Sequence, residues 1–178
     1  GRLTVEFVGR IAEEDTQALT LSALKGLLTD VVHEPVTYVN APLLADERGI
    51  DVSALRSTAA ADYLSVVALS DGEVRVAGTV VGPRNRERLL EVWGCHIDME
   101  PADHMVFLRY RDRPGIIGAI GARLGTAGVN IAAMQVGRRE AGGEQVIAMA
   151  VDSAVPAPTL HDIAHDIDAH DVRSLDLR

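Results

Sequence analysis

The second half of the chain alternates strand-like and helix-like hydrophobic patterns in an order that few folds can accommodate. The segments are 105–110, 114–127, 131–138, 145–151, 158–169 and 172–177. As strand, helix, strand, strand, helix and strand, they follow the β-α-β-β-α-β order of a ferredoxin-like domain. Ala141-Gly142-Gly143 predicts a turn between the third and fourth segments. We therefore predict a two-layer domain in which the helices lie on a sheet.

The first half predicts further strands and helices, marked by alternating apolar residues or by leucines at helical spacing. These are strands at 2–10, 63–69, 73–81, 88–93 and 95–99, and helices at 15–28 and after residue 40. Asp71-Gly72 indicates a tight antiparallel hairpin, since this pair tolerates positive φ. Asn40 suits the N-cap of the short helix and Gly49 its end.

The stretch 100–103, which contains Pro101, has the composition of a linker. We therefore place a domain boundary there and predict an α/β domain at 1–101 and the ferredoxin-like domain at 102–178. The fold class predicted for the whole chain is α+β.

Charge and cysteine content narrow the partners and the compartment. The formal net charge is −9. An acidic chain repels nucleic acid and anionic membranes, so neither is expected as a partner. Cys95 is the single cysteine, which excludes an intrachain disulfide and fits a reducing, cytoplasmic compartment. The chain begins at Gly1 directly in a strand-like segment, so we expect a longer parent protein.

The segment between the first strand and first helix of the second half carries groups that suit a zwitterion. Pro114 presets the helical φ and Gly115 leaves the first N–H groups uncovered, so the helix start attracts a carboxylate. Asp112 offers the opposite charge to an ammonium group. Asn130 begins the next strand and can lie beside this loop in a β-α-β unit. Two plainer interpretations stay open, with Asp112 as the helix N-cap and Asn130 as a turn residue.

The predicted helix 114–127 carries an apolar stripe beside a stripe of glycines. The apolar stripe is Ile117, Ile120, Leu124 and Ala127, and the glycines are Gly118, Gly121 and Gly125. A glycine inside a helix costs about 1 kcal/mol relative to alanine, so a compensating contact is expected. Close approach of another backbone or of a ligand would explain the stripe. A tight helix–helix contact within the domain would explain it equally well.

Two stretches of the chain resemble known families. Residues 104–178 resemble an ACT domain, a small amino-acid-sensing module. The matching residues are Tyr110, Asp112-Arg113-Pro114-Gly115, Ile117, Leu124 and Gly128-Val129-Asn130-Ile131. Residues 2–100 resemble the intervening, allosteric substrate-binding-like domain of long bacterial, actinobacterial-like D-3-phosphoglycerate dehydrogenases. The matching stretches there are Thr37-Tyr38-Val39-Asn40-Ala41-Pro42, Glu47-Arg48-Gly49 and Gly78-Thr79-Val80-Val81-Gly82-Pro83. The resemblance implies an intervening α/β domain followed by a ferredoxin-like βαββαβ ACT domain, together the C-terminal regulatory region of such an enzyme.

That resemblance implies feedback control of L-serine biosynthesis. Parent enzymes are NAD-dependent oxidoreductases that act on 3-phosphoglycerate, and L-serine inhibits them by binding between two ACT domains. The chain itself would hold no catalytic residue, cofactor or metal. Its partners would be L-serine or another small amino acid, a second copy through the ACT domains, and the catalytic domains of the parent protein.

The resemblance also assigns residues to the serine site. The implied contacts are Tyr110, Asp112, Pro114, Gly115, Ile116, Ile117, Asn130 and Ile131. Asp112 would take the ammonium or hydroxyl group, the N–H groups near Gly115 would take the carboxylate, and Asn130 would act from the facing subunit.

A second effector site, for a phosphate-bearing ligand, is also implied by the resemblance to intervening domains. The candidate residues are Arg84, Arg86, Arg88 and His96. Cys95 and Glu100 occupy positions where members of this type carry arginines. A carboxylate at residue 100 would repel phosphate, so Arg84 or Arg86 would have to compensate.

Two alternatives keep the fold and change the function. The chain also resembles the regulatory portion of iron–sulfur L-serine dehydratases, although the motif at residues 37–42 favours the dehydrogenase. It is also consistent with a purely oligomerising module that binds no small molecule. His161 and His165 have zinc-ligand spacing, but both point away from the apolar stripe of their helix, so we interpret them as solvent-exposed.

Overall fold

The computed structural model describes residues 1–29, 31–59, 62–138 and 143–177. The chain divides into two compact units, Gly1–Asn85 and Arg86–Arg178. Each unit combines helices with a sheet, which confirms the predicted α+β class. The division between residues 101 and 102 stays a prediction, because the compact units divide the chain earlier.

The first unit is a sheet covered on one face by helices. Its elements are β1 (Arg2–Gly9), a 3-10 turn (Arg10–Glu13), α1 (Gln17–Thr29), α2 (Ala41–Glu47), β2 (Asp51–Ser57), β3 (Ser65–Ser70) and β4 (Arg75–Val81). Its strands follow the order β2-β1-β3-β4, with β1 parallel to β2 and antiparallel to β3. The helices α1 and α2 form the crossover that a parallel strand pair requires.

The core of the first unit confirms the predicted inner face of β1. Leu3, Val5 and Phe7 are buried and pack with Leu24 and Leu28 of α1. Strand β2 was not predicted. Most of its residues are exposed, so the alternation that reveals a half-buried strand is missing from its sequence.

The predicted hairpin turn at Asp71-Gly72 is confirmed. Gly72 has a φ of 101°, and the Asp71 carboxylate accepts hydrogen bonds from the backbone N–H groups of Glu73 and Val74 at 2.9 and 2.7 Å. These bonds hold the pKa of Asp71 below its ordinary value, with the Val74 bond the larger cause. The Asp71 carboxylate therefore stabilises the turn that joins β3 to β4.

Asn40 occupies the predicted N-cap position of α2. The Asn40 side chain makes no cap hydrogen bond to α2. Its Oδ1 instead accepts from the backbone N–H of Thr37 at 2.7 Å, and its Nδ2 donates to the Pro35 carbonyl at 3.0 Å. The side chain thus closes the preceding turn, because the loop offers it nearer partners than the helix start does.

The second unit contains the predicted βαββαβ order, preceded by a hairpin. Its elements are β5 (Arg86–Val92), β6 (Cys95–Met99), β7 (His104–Arg111), α3 (Ile116–Thr126), β8 (Ile131–Arg138), β9 (Glu144–Val151), α4 (Ala157–Ile167) and β10 (Asp171–Asp176). The strands from β7 onward form a sheet in the order β10-β7-β9-β8 with antiparallel neighbours. Of the predicted turn before β9, Ala141 and Gly142 lie outside the described residues.

Helices α3 and α4 cover one face of this sheet. The apolar residues that meet there are Val106, Leu108, Ile116, Ile120, Leu124, Ile147, Met149, Ile163 and Ile167. Ile117 was predicted in this core, but it is 50% exposed, and Ile116 takes the buried position. Ile120 and Leu124 are buried and Ala127 packs against the core as predicted, and the helix begins at Ile116 and not at Pro114.

The glycine stripe of α3 faces away from the rest of its own unit. A Cβ built on Gly118, Gly121 or Gly125 meets no atom within 4 Å among the described residues. The alternative in which these glycines permit a tight contact inside the domain is therefore not what the structure shows.

The hairpin β5–β6 covers the other face of the same sheet. Strand β6 lies so close to β8 that a Cβ on Gly137 would be 2.6 Å from the His96 carbonyl oxygen and 3.1 Å from the Cys95 Cβ. At the hairpin turn, the Trp93 ring meets the Phe107 ring edge to face, with centroids 6.5 Å apart. Cys95 is buried in this layer.

Candidate functional site

A cavity of about 220 Å³ lies where β7 passes into α3. Its lining residues are Tyr110, Asp112, Arg113, Pro114, Gly115, Ile116, Ile117, Gly118, Val136, Arg138 and Gln145. Six of the eight residues predicted for an amino-acid site are among them. The cavity is smaller than the roughly 300–1,000 Å³ typical of sites for drug-sized ligands, so it suits a small metabolite.

The helix start at this cavity carries no side-chain cap. Gly115 occupies the N-cap position with a left-handed φ of 93°, and among the described residues no side chain makes a cap hydrogen bond there. Asp112 is therefore not the N-cap, which was the plainer interpretation of that residue. The first N–H groups of α3 remain available to a carboxylate, and the helix dipole favours negative charge there.

A row of polar side chains crosses the sheet at the buried side of the cavity. The strand register places Tyr110 opposite Gln145, and Gln145 opposite Arg138, on the face that carries the helices. The Tyr110 hydroxyl donates to Gln145 Oε1 at 3.1 Å. Tyr110 is 2% exposed and Gln145 1%, so this hydrogen bond is shielded from solvent.

Charged groups of both signs flank the Tyr110 phenol. Burial is the main cause that raises the Tyr110 pKa above 10.0; the Asp112 carboxylate raises it further, and Arg138 opposes the shift. Tyr110 therefore stays protonated at neutral pH and acts as a hydrogen-bond donor or acceptor. The cavity thus combines one acidic side chain, two basic side chains (Arg113 and Arg138) and the positive end of a helix.

Asn130 and Ile131 are not brought to this cavity. Ile131 pairs with Val151 of β9, which also pairs with His104 at the start of β7, so β7 and β8 run parallel. The start of β8 therefore lies at the opposite end of the sheet from Asp112. The expectation that Asn130 lies beside the first loop of the same chain is wrong. The Asn130 backbone N–H instead donates to the Asp152 carboxylate at 3.0 Å.

Gln145 and Arg138 were missed at the sequence level. A glutamine at the head of the apolar run Val146–Val151 was a usable signal, because a strand buried on both faces rarely begins with an amide side chain. Its partnership with Tyr110 depends on strand register, which the sequence does not specify directly.

Two of the four residues of the implied phosphate site, Arg86 and Arg88, are engaged with carboxylates. Arg86 contacts the Glu100 carboxylate at 2.9 Å, and Arg88 contacts the Asp98 carboxylate at 2.6 Å. His96 is exposed, and Arg84 belongs to the first unit. A phosphate would have to displace Glu100 and Asp98 from these arginines, so the phosphate site stays an untested prediction that this geometry disfavours.

A larger hollow of about 550 Å³ lies in the first unit between α1, α2 and β2. Its walls are aliphatic except for Thr20, Asp46 and Asp51. Among the described residues, its lining contains two carboxylates and no basic side chain, so it does not suit an anion.

Within the described ranges, no cluster of three or more histidine, cysteine or acidic residues could hold a metal ion. Among the helices that the structure describes, none is long and apolar enough to cross a membrane.

The βαββαβ order and the open helix start beside an acidic side chain define the second unit as an ACT-type domain, and the ACT domain family model matches residues 104–172. The model of the D-3-phosphoglycerate dehydrogenase intervening domain matches residues 1–93. The chain belongs to this intervening-domain family, and an ACT domain follows the intervening domain.

Relatives with the name D-3-phosphoglycerate dehydrogenase align with nearly the whole chain. The Mycobacterium tuberculosis protein is 37% identical over 98% of this chain and 34% of its own length. The Synechocystis protein is 38% identical over 91% and 30%, and the Bacillus subtilis protein 33% identical over 98% and 34%. The chain therefore spans about a third of the length of the curated relatives it matches.

Proposed function

We propose that the cavity at the start of α3 binds a free small α-amino acid, with L-serine as the first candidate. We further propose that the chain is the regulatory region through which this ligand inhibits a D-3-phosphoglycerate dehydrogenase. One observation carries the proposal: an uncapped helix start, the Asp112 carboxylate and a buried Tyr110–Gln145 pair surround a single cavity of about 220 Å³.

The charges of an α-amino acid match this cavity group by group. Its carboxylate would accept hydrogen bonds from the first N–H groups of α3, where the helix dipole is favourable. Its ammonium would lie against Asp112, which is exposed at the rim. The side chain would then point toward the buried wall formed by Tyr110 and Gln145.

A second copy of the chain would complete the site. The uncovered glycine stripe of α3 permits close approach of another backbone. Asn130, which cannot reach the cavity of its own chain, would contact the ligand from that second copy. The proposed partner of the ACT domain is thus the same domain of a second copy of the chain, in a homo-oligomer.

The names of the relatives extend the proposal to a whole protein. The parent would be a cytoplasmic, NAD-dependent oxidoreductase of L-serine biosynthesis, acting on 3-phosphoglycerate, with its catalytic domains outside residues 1–178. The chain itself is proposed to bind and not to catalyse. Inhibition would arise because the ligand favours one interface geometry, and that preference would be transmitted to the catalytic domains.

Calorimetric titration of L-serine into the parent chain and an Asp112→Asn variant tests the proposal. The variant keeps the side-chain shape and removes the charge, so binding should weaken about 10- to 100-fold, the range for losing a hydrogen bond to a charged group. Asp103→Asn is the matched control, since Asp103 is exposed before β7 and outside the cavity. Equal affinities of Asp112→Asn and the parent would remove Asp112 from the site.

A thermal-shift panel of amino acids separates binding from a purely oligomerising role. A ligand at 100 times its dissociation constant should stabilise the chain by about 2.7 kcal/mol. A flat response to L-serine and to all other amino acids would support the oligomerising module.

A further inference from the structure

Gln145 presents a buried hydrogen-bonding group that has no partner among the residues that the structure describes. Its side-chain Oε1 accepts from the Tyr110 hydroxyl, but its Nε2 is buried and has no hydrogen-bond partner among the described residues. More than nine in ten buried polar groups in proteins are paired. The exception here lines the cavity proposed to bind an amino acid, so the missing partner is accounted for if a ligand supplies it.

The Tyr110 hydrogen bond fixes the amide orientation, and in it both N–H groups of Nε2 are without a partner among the described residues. If the amide is rotated, its Nε2 donates to the Tyr110 oxygen, and the Tyr110 O–H is then left to donate elsewhere. In the rotated arrangement Oε1, an acceptor, would occupy the unpaired position and Tyr110 would be the donor, so the inference rests on the arrangement in which Tyr110 donates to Oε1. The elevated Tyr110 pKa keeps the phenol protonated, as that donation requires.

The position of the pair decides which part of a ligand it meets. The carboxylate and ammonium of an amino acid are matched by the helix start and by Asp112, which lie at the exposed rim. Gln145 is 1% exposed and Tyr110 2%, so they form the deep wall. The substituent of the ligand that reaches this wall is its side chain.

Resting on the proposed amino-acid site, we propose that Gln145, held by Tyr110, selects ligands whose side chain carries an oxygen that accepts a hydrogen bond. A hydroxyl oxygen one bond beyond Cβ would pair with the donor. A methyl group in the same place would fill the same space and leave the donor buried without a partner. An unpaired buried donor is unfavourable, so the affinity for such a ligand would be much lower. The ligand class is therefore a short hydroxylated amino acid rather than an apolar one of equal size.

The first test uses ligands alone on the unaltered chain. L-Serine and L-2-aminobutyrate differ by a hydroxyl replaced with a methyl, and calorimetry should show L-serine binding about tenfold more tightly or better. Equal affinities would overturn the role of Gln145 while leaving the proposed amino-acid site standing. No binding of any amino acid would overturn the proposed site and this inference with it.

The second test removes the donor. Gln145→Met preserves the length and approximate volume of the side chain, and it should reduce the preference for L-serine over L-2-aminobutyrate to about one. Gln135→Met is the matched control, because Gln135 is an exposed glutamine on β8 outside the cavity. An unchanged preference in folded Gln145→Met would contradict the inference. If that variant does not fold, the ligand comparison on the parent chain decides the question.

Discussion

Replacing Gly137 with alanine is expected to destabilise the second unit by about 1–3 kcal/mol, the usual cost of overpacking. A Cβ at this position would lie 2.6 Å from the His96 carbonyl oxygen and 2.9 Å from Ile97 Cγ2. Ordinary contact begins near 3.4 Å, so the His96 backbone would have to move by about 0.8 Å. Because the carbonyl is part of β6, the whole strand must shift and not just the end of a flexible side chain.

Urea unfolding followed by tryptophan fluorescence measures this effect directly. Trp93 is the only tryptophan in the chain, and its ring contacts Phe107 from the hairpin turn, so it reports whether β5–β6 stays against the sheet. Gly26→Ala is the control, since Gly26 lies in α1 outside the proposed site, its Cβ meets no described atom within 4 Å, and alanine in a helix should not destabilise the fold. A Gly137→Ala variant with the parent's stability and spectrum would refute the close packing of β6 on β8.

Two further predictions concern the core and the hairpin turn. Leu124→Ala should lower the free energy of unfolding by about 2–5 kcal/mol, because Leu124 is 1% exposed between α3 and the sheet; a loss below about 1 kcal/mol in the urea assay would contradict that packing. The lowered pKa of Asp71 means that its charged form stabilises the folded state above the ordinary pKa of 3.8, and that this stabilisation disappears as the pH falls through the lower folded-state value. Asp71→Asn should therefore be less stable than the parent at pH 7 and equally stable in sufficiently strong acid; a stability difference that does not change with pH would be inconsistent with this cause.

The element order could be predicted from the sequence because each segment of the second unit shows its own hydrophobic period. The first residue of α3 could not be predicted. Gly115 adopts a left-handed φ of 93° at the N-cap, so α3 begins at Ile116, two residues after the predicted start. In the first turn Ile116 is buried and Ile117 is half-exposed, whereas Ile120 and Leu124 are buried as predicted. Strand β2 could not be predicted, because its residues are mostly exposed and show no alternation.

The loop of the candidate site was predictable because its residues are consecutive. Asp112, Pro114 and Gly115 act through local backbone geometry, which short sequence patterns describe well. The wall opposite them is made by Tyr110 and Gln145, which are 35 residues apart. Their contact follows from the register of β7 on β9, and a shift of one residue would turn Gln145 to the other face of the sheet. Sequence patterns do not determine register to one residue, so the buried pair emerged only in the structure.

The same register constrains how Asp112 and Asn130 can act together. Parallel strands β7 and β8 place Asp112 at one end of the sheet and Asn130 at the other, with the length of β8 (Ile131–Arg138) between them. At roughly 3.3 Å per residue that length is about 23 Å, which no single amino acid can bridge. A ligand that contacts both residues must therefore lie between two copies of the chain. A twofold arrangement would give two equal sites, each with Asp112 from one copy and Asn130 from the other. Ligand affinity and self-association would then be linked, because a ligand that binds the pair better than the single copy must favour the pair.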